Sequence, residues 1–390
     1  MLFSLLQTIA STVYIPVLTL MHFVKPGISA GCRFLSAREE EIVSISPVLV
    51  SKLRDRLLKY FSDLADISIQ ESRTNSHHVI HGSKGSVRDP SWFPSKIVVV
   101  DGGSSVIPLN IGYLGLCAAV AVHISGNRVA ERLVADPIFI PEDPVDIVVY
   151  ETMDQIMGVV DKVREALVFE LAKEALERFN PELLIIDGPL IPYSALAKRV
   201  VGTRDEEDAL NKYRGAVVEL LKASANRGVN VIGFVKRPKS MFLYRLGIIN
   251  KMIYDHIYLS RHLKPGEHYP GIPLKLPATQ QLFHDEQIRK LMEAISPSFT
   301  FMRFNMQTPP YRIDFGPLNV SFHDILSCLY ATRTREGIPY SIMKADEETK
   351  FSRKLIKELY EDVLHHYISK LISSGVKPDI IPVLPQYGGW

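Results

Sequence analysis

The chain has 390 residues, of which 46% are hydrophobic and 23% are charged, as is ordinary for a soluble globular protein. Its 45 Lys and Arg residues nearly balance its 43 Asp and Glu residues, so the formal net charge is only +2. This balance excludes a polybasic arm as the main nucleic-acid-binding device, and any such contact must come from local clusters of basic side chains.

The three cysteines, Cys32, Cys117 and Cys328, are widely spaced and include no C-x-x-C pair. This spacing argues against a structural zinc site and against a disulfide framework. It favours a protein of the reducing cytoplasm.

An apolar segment without Asp, Glu, Lys or Arg opens the chain at residues 1–23. A membrane span needs about 20 predominantly apolar residues, but several polar side chains and the central Pro16 interrupt this one. The segment also lacks the preceding basic residue and the small-residue cleavage site of a signal peptide. We therefore expect residues 1–37 to form a separate apolar segment that docks on protein, with a membrane anchor as the alternative.

Apolar residues at helical spacing predict a first helix over residues 38–66. Residues 70–95 are polar and predict a loop. This loop contains His77, His78 and His81, which we expect to be solvated rather than metal ligands, because no helical pattern aligns them.

A β-branched run follows from Lys96 and closes with Asp101 and Gly102. Such a run predicts a buried strand that ends in a tight turn. Residues 112–124 and 128–134 predict two further strands, so this part of the chain is expected to be a strand meander.

The middle of the chain alternates helices with strands. Residues 152–179 and 205–227 have the apolar stripes of amphipathic helices. Between them, four aliphatic residues precede Asp187 and predict a second buried strand that ends in Asp-Gly. Residues 229–235 predict another strand, which leads directly to Lys236. This alternation predicts an α/β fold with a mixed sheet.

The C-terminal part has a less regular pattern. Residues 238–297 predict a mostly helical insertion, and residues 299–304 and 311–315 predict a β-hairpin. Helical patterns follow near residues 320–333 and 346–372, the second with apolar residues at steps of four.

Asp101 and Asp187 both follow buried strands, and a carboxylate at such a position lies at the edge of the sheet, where ligands tend to bind. Two convergent carboxylates repel each other unless a cation lies between them. Mg²⁺ and Mn²⁺ prefer oxygen ligands, and an ion of this kind activates water for phosphodiester hydrolysis. Asp-Gly after a strand is also ordinary turn chemistry, so the residues alone leave both interpretations open.

Six short motifs, in order along residues 38–372, resemble those of the archaeal NurA nuclease family. They are Val-Val-Val-Asp101-Gly-Gly-Ser-Ser, the helical stretch Arg164 to Glu170, Leu-Ile-Ile-Asp187-Gly-Pro-Leu, Val-Lys236-Arg-Pro-Lys-Ser, Tyr311-Arg-Ile-Asp-Phe, and Gly337-Ile-Pro-Tyr340-Ser-Ile-Met-Lys-Ala-Asp346. The first motif has Gly103 where Ser is more usual, and the segment 238–297 matches poorly.

The resemblance implies an RNase H-like mixed sheet flanked by helices, over a nuclease domain at residues 38–380 with an insertion at about 238–297. It implies an exonuclease that cleaves DNA, with single-strand endonuclease as a second activity. The cleavage is expected to depend on Mn²⁺, with Mg²⁺ as the alternative. It further implies a toroidal homodimer that works with a HerA-like hexameric ATPase in DNA end resection and repair. A small-molecule substrate and a membrane are not expected.

The site residues that the resemblance implies are Asp101, Glu170, Asp187, Lys236 and Tyr340. The three acids would be metal ligands. The ammonium of Lys236 would meet a phosphate or the developing negative charge, and Tyr340 would contact the scissile phosphate or position water. Three acids near Glu170 could take its place: Glu151, Glu165 and Glu174.

Further basic residues are candidate phosphate contacts: Lys198, Arg199, Arg204, Arg333 and Arg335. The sequence has no G-x-x-x-x-G-K-[ST] motif, which argues against ATP hydrolysis through a P-loop. The alternative function is a non-catalytic RNase H-like scaffold that binds a partner ATPase, and the intact paired acids favour the enzyme.

Overall fold

The computed structural model describes residues 47–74, 83–109, 112–126, 128–143, 146, 149–150, 152–191, 203–275, 286–350 and 353–375. The chain divides into two compact units, Met1–Val79 and Ile80–Trp390. In the first unit the described part is one helix, α1 (Pro47–Thr74), which ends later than the predicted residue 66. The predicted docking segment 1–37 and the histidines at 77, 78 and 81 lie outside the described residues.

The second unit combines strands with helices. Its strands are β1 (Gly85–Ser86), β2 (Lys96–Leu109), β3 (Gly112–Ser125), β4 (Arg128–Val134), β5 (Ile138–Ile140), β6 (Leu183–Ile186), β7 (Asn230–Val235), β8 (Glu267–Lys275), β9 (Ser298–Met302) and β10 (Tyr311–Phe315). Its helices are α2 (Met153–Phe179), α3 (Arg204–Arg227), α4 (Phe242–Arg245), α5 (Asp255–Ser260), α6 (Glu286–Ile295), α7 (Phe322–Ala331), α8 (Tyr340–Thr349) and α9 (Arg353–Ser373). No helix in the described ranges is both long and apolar enough to cross a membrane.

One mixed sheet organises this unit, in the order β1-β8-β9-β10-β7-β6-β2-β3-β4, with β5 beside β3. The central strands β2, β6 and β7 are parallel, and Ile186 pairs with both Val100 and Gly233. The flanking strands are antiparallel. This arrangement confirms the predicted mixed α/β sheet flanked by helices.

The end of the sheet at which β6 and β7 finish, at Ile186 and Val235, is called the carboxyl edge below. β10 runs against β7, with Arg312 opposite Val235. β9 runs against β10, with Met302 opposite Tyr311. The chain therefore enters β10 and leaves β9 at the carboxyl edge, beside the ends of β6 and β7.

Helices cover both faces of the sheet. On one face α2 packs against β2 and β3, and its partner is α3. The helix α2 is capped by Thr152 at its start and by Asn180 in a left-handed conformation at its end. On the other face, apolar residues of α7 and α8, including Ile325 and Ile342, complete a second core with β6, β7 and β10. Each face thus buries its own apolar layer against the sheet.

Three elements differ from the predictions. The strand β2 does not end at Asp101 but continues for 14 residues in all, because β3 pairs with it as far as Leu109. The segment 238–297 is not mostly helical, since it contributes β8 to the sheet beside β9. The helix predicted at 346–372 is two helices, because Lys350 after α8 has an extended backbone.

Candidate metal centre

Asp101 lies in β2 at the carboxyl edge, directly after Val100. One carboxylate oxygen, Oδ1, accepts the backbone N–H of Gly102 at 2.8 Å. The other, Oδ2, accepts the hydroxyl of Thr349 at the end of α8. Burial raises the pKa of Asp101, although the hydrogen bond from Thr349 and the charge of Lys236 act in the opposite direction. This carboxylate is therefore oriented by its neighbours and poorly solvated.

Gly102 explains how the helix α2 comes so close to Asp101. A Cβ at this position would lie 2.5 Å from Cγ2 of Val168 and 3.1 Å from Cγ of Arg164. The absence of a side chain lets α2 cross directly over β2. The Gly after Asp101 therefore serves close packing of a helix, and not the tight turn that the sequence predicts.

Asp187 follows β6 directly, and its side chain is only 4% exposed. Its backbone N–H donates to the carbonyl of Val100 at 2.9 Å, which fixes it beside Asp101. The turn that follows Asp187 packs directly against β7, because Gly233 of β7 has no side chain at the point of contact. A Cβ on Gly233 would lie 2.3 Å from the backbone nitrogen of Leu190 and 2.7 Å from the carbonyl oxygen of Gly188.

A buried ion pair holds the same turn from β10. Arg312 donates from Nε to Oδ1 of Asp314 at 2.8 Å and from Nη2 to Oδ2 at 3.0 Å. Burial raises the pKa of Asp314, and this is opposed by Arg312 and by hydrogen bonds from the backbone N–H groups of Leu190 and Ile191. The position of Asp187 is thus set by β7 and β10 as well as by its own strand.

Lys236 follows β7 and lies between two carboxylates. Its Nζ donates to Oδ2 of Asp187 at 2.6 Å and to Oδ1 of Asp346. Burial by itself lowers the pKa of Lys236, but Asp187 and Asp346 raise it above the usual lysine value. The ammonium therefore stays charged and supplies positive charge to the acidic cluster.

Asp346, on α8, is the third acid of the cluster. Oxygens of Asp101, Asp187 and Asp346 all lie within 4.8 Å of one another. Ligand oxygens bind Mg²⁺ at about 2.1 Å, so two on one ion are at most about 4.2 Å apart. Small side-chain rotations would bring these three into one coordination shell, and an oxygen-only set suits a hard divalent cation.

The acids repel one another in this arrangement. The pKa of Asp187 is raised well above its usual value, first by burial and then by the charges of Asp101 and Asp346, against the lowering effect of Lys236. Close carboxylates with raised pKa values are a recognised sign of a functional site. A divalent cation between them would relieve both the repulsion and the desolvation.

The structure does not bring Glu170 to this cluster. Its side chain is 42% exposed and lies 3.6 Å from Nζ of Lys212 on α3. The helix α2 buries the stripe that includes Val168 and Ala172, and Glu170 is out of phase with that stripe. The third acid of the cluster is therefore Asp346, which closes the sequence motif around Tyr340 but is not marked as a ligand by any local pattern.

Glu165 is the acid of α2 that lies near the cluster. It accepts a hydrogen bond from Nη2 of Arg164 at 2.6 Å. Burial raises its pKa, and the negative charge of Asp101 adds to the effect. Glu165 lies three residues before Val168 and is in phase with the buried stripe. Helical periodicity could therefore have predicted it as the acid of α2 that faces the sheet. Glu174, further along α2, is exposed, and Glu151 lies outside the described residues.

Tyr340 is the first residue of α8 and is half-buried. It precedes Asp346 by six residues, a rise of about 9 Å along the helix. Its ring lies 5.7 Å from Nζ of Lys344. Arg204 lies exposed at the start of α3. Arg333 and Arg335 are exposed in the turn before α8, and Lys198 and Arg199 lie outside the described residues.

The NurA domain family model matches residues 95–351 of the chain. This range contains every acid of the cluster and the whole mixed sheet from β2 to β10. No curated protein matches the chain by sequence.

The solved structures that are similar to this fold include three NurA structures. A NurA nuclease from Sulfolobus solfataricus is 16% identical, with 83% of this chain and 98% of that chain covered and a TM-score of 0.60. A NurA with manganese is 15% identical, with 84% and 100% covered and a TM-score of 0.55. A NurA bound to dAMP and manganese is 15% identical, with 80% and 96% covered and a TM-score of 0.51. At these identities the likeness shows the fold, which is the RNase H-like mixed sheet.

Proposed function

Since the chain belongs to the NurA family, we propose that it is a deoxyribonuclease that depends on a divalent metal ion. The observation that carries the proposal is the cluster of Asp101, Asp187 and Asp346 at the carboxyl edge, with oxygens within 4.8 Å of one another. Like charges repel each other, yet these three acids converge from β2, β6 and α8.

The three acids would hold the ion, which when bound supplies a Lewis acid for the phosphate and a more acidic water. Lys236 already lies among these acids, 2.6 Å from Asp187. Its fixed positive charge would stabilise negative charge on a phosphate that approaches the cluster. Glu165 of α2, whose pKa is raised by burial and also by the charge of Asp101, is a further acid near the cluster.

The finer features of the function extend this proposal. We infer Mn²⁺ as the preferred ion, with Mg²⁺ as the alternative, because two of the similar NurA structures contain manganese and the donor set is all oxygen. We propose exonuclease action, with single-strand endonuclease as a second activity, and membership in the NurA family supports this proposal. On the same ground we propose a homodimer, a HerA-like ATPase partner and a role in end resection and repair.

The test is cleavage of labelled single- and double-stranded DNA by the purified full-length protein in Mn²⁺, Mg²⁺ or EDTA. We expect cleavage with Mn²⁺ and none with EDTA. Asp101→Asn and Asp187→Asn should abolish cleavage, because each removes charge from the ion site. Asp208→Asn is a matched control, since Asp208 is an exposed acid of α3 and its substitution should leave cleavage unchanged.

Circular dichroism and thermal melting would establish that each variant is folded. Absence of cleavage by folded wild-type protein with every metal would refute the enzyme and favour a non-catalytic scaffold. Near-normal cleavage by either variant at Asp101 or Asp187 would refute the assignment of the site.

A further inference from the structure

A cleft of about 460 Å³ lies at the end of β9 and shares no residue with the metal centre. One wall is the chain just after β9 and the other is the turn between α7 and α8. The residues that line it include Phe304, Asn305, Met306, Tyr330, Arg333 and Arg335. The two charged residues that line the cleft are both arginines, so its charge is positive.

The register of the sheet places this cleft on the carboxyl edge. β9 finishes at Met302 on that edge, and Phe304 packs its ring 5.6 Å from the ring of Phe234, two residues before Lys236. In the sheet, β9 is three strands from β6, which is about 14 Å at ~4.8 Å per strand. The cleft and the acidic cluster therefore lie along one edge at a spacing of about four nucleotides of a stacked strand, at ~3.4 Å each.

The walls of the cleft are preorganised by hydrogen bonds within the protein. The buried Arg303 donates from its guanidinium to the carbonyls of Asn305 at 3.0 Å, Met306 at 2.8 Å and Leu263 at 2.9 Å. The side chain of Asn305 donates in turn to the carbonyl of Arg335 at 3.4 Å. These contacts join the two walls, so a ligand would not need to order them.

The side chains of the cleft match the chemistry of a nucleotide. The guanidinium of Arg333 lies 3.6 Å from the ring centroid of Tyr330 and donates to the carbonyl of Tyr330 at 2.6 Å. This stack holds one face of the guanidinium, and bases stack on such planes in single-stranded nucleic acids. Met306 is 65% exposed and adds an apolar surface, and the exposed Arg335 suits a phosphate.

We propose that this cleft binds one nucleotide of the DNA strand, away from the scissile phosphate, with the base against Arg333 and Met306 and the phosphate at Arg335. The inference rests on the proposed nuclease function and adds to it a strand-holding subsite. It requires a strand that reaches from the acidic cluster to the cleft. A strand shorter than about four nucleotides spans too little of the edge to use both sites.

The test is fluorescence anisotropy of labelled single strands with the full-length protein in EDTA, where no strand is cut. The two probes are about 12 and about 3 nucleotides long, to exceed and to fall short of the span. We expect the wild type to prefer the long strand. Arg333→Gln and Arg335→Gln should each weaken binding of the long strand about five- to tenfold, and Arg335→Gln should reduce the salt slope of log K by about one.

Arg227→Gln is the matched control. Arg227 is an exposed arginine at the end of α3, just before β7 begins and so at the opposite end of the sheet. Its substitution should leave binding of both probes unchanged. Equal affinity of the two arginine variants and the wild type for the long strand would overturn the proposal.

The last experiment uses a deoxynucleoside monophosphate as the ligand. If this nucleotide binds in the cleft while the Arg333 and Arg335 variants still bind the long strand normally, the site is for free nucleotides and the strand proposal is wrong. Failure of the nuclease proposal is read separately, as absent cleavage in Mn²⁺. A protein that retains the long-strand preference but cuts no DNA would keep the subsite and lose the enzyme.

Discussion

Substitution of Gly233 by Ala tests how the acidic cluster is positioned, because this glycine carries no reactive group. It lies in β7 under the turn that follows Asp187. The added Cβ would lie 2.3 Å from the nitrogen of Leu190, 2.7 Å from the oxygen of Gly188 and 2.9 Å from Cβ of Leu190. Two of these atoms belong to the backbone, so no side-chain rotation relieves the clash.

The distances set the expected size of the effect. Ordinary van der Waals contact begins near 3.4 Å, so the turn must retreat by about 1.1 Å from Gly233. Asp187 is held at the start of this turn, and a displacement of about 1 Å in a reacting group costs on the order of 100-fold in rate. Overpacking of this kind should also cost about 1–3 kcal/mol of stability, which leaves a protein of this size folded at ordinary temperatures.

The assay is single-turnover cleavage in saturating Mn²⁺, with thermal melting on the same preparations. Gly215→Ala is the matched control, since a Cβ on Gly215 meets nothing within 4 Å. Because Gly in a helix interior costs about 1 kcal/mol relative to Ala, this variant should be more stable and fully active. A Gly233→Ala protein that cuts DNA at the wild-type rate would refute the idea that this close approach positions Asp187.

Asp346→Asn should lower Mn²⁺-dependent cleavage by at least about 100-fold, whereas Glu170→Gln should leave it within about twofold; the opposite result in the same cleavage assay would return the third ligand to α2. Mn²⁺ at about 100 times its Kd should raise the free energy of unfolding by about 2.7 kcal/mol, and Asp187→Asn should remove most of this gain in thermal melts. Burial raises the pKa of Asp187, so the metal-free folded state binds more protons than the unfolded state. The stability of the metal-free protein should therefore fall as pH rises above about 4, while its affinity for Mn²⁺ should rise. Calorimetry that finds the stability and the Mn²⁺ affinity independent of pH would contradict this. Asp314→Asn should destabilise the protein by about 3–5 kcal/mol in urea melts, because it leaves Arg312 buried without its partner. Light scattering at micromolar concentration should give the mass of a dimer, and a monomer would count against the proposed assembly.

The central strands and two of the three acids follow from the sequence for a physical reason. The aliphatic runs before Asp101 and Asp187 predict buried strands, and β2 and β6 are buried strands that pair in parallel. Val100 and Ile186 are register partners in this parallel pair, so the two acids that follow them lie near each other. Lys236 follows from the same argument, since β7 is parallel to β6.

Asp346 could not be placed in this way. It stands on a helix, 110 positions after Lys236, and its contact with the cluster depends on how α8 packs against the sheet. Local patterns specify which face of a helix is apolar, but not where that helix docks. For α2, in contrast, a local pattern could have chosen between two acids. The helical phase of α2 favours Glu165 over Glu170 as the acid nearer the sheet.

The order in which the acids occur along the chain has a consequence for synthesis. Asp101 and Asp187 are translated before α8, whereas a domain generally folds as a unit, and all three acids belong to one compact unit. The third acid and the hydroxyl that orients Asp101 both belong to α8, at Asp346 and Thr349. A nascent chain therefore lacks a complete metal centre until translation has passed Thr349. A chain interrupted before α8 keeps Asp101 and Asp187 but lacks Asp346 and Thr349, so we expect such a fragment to have no nuclease activity.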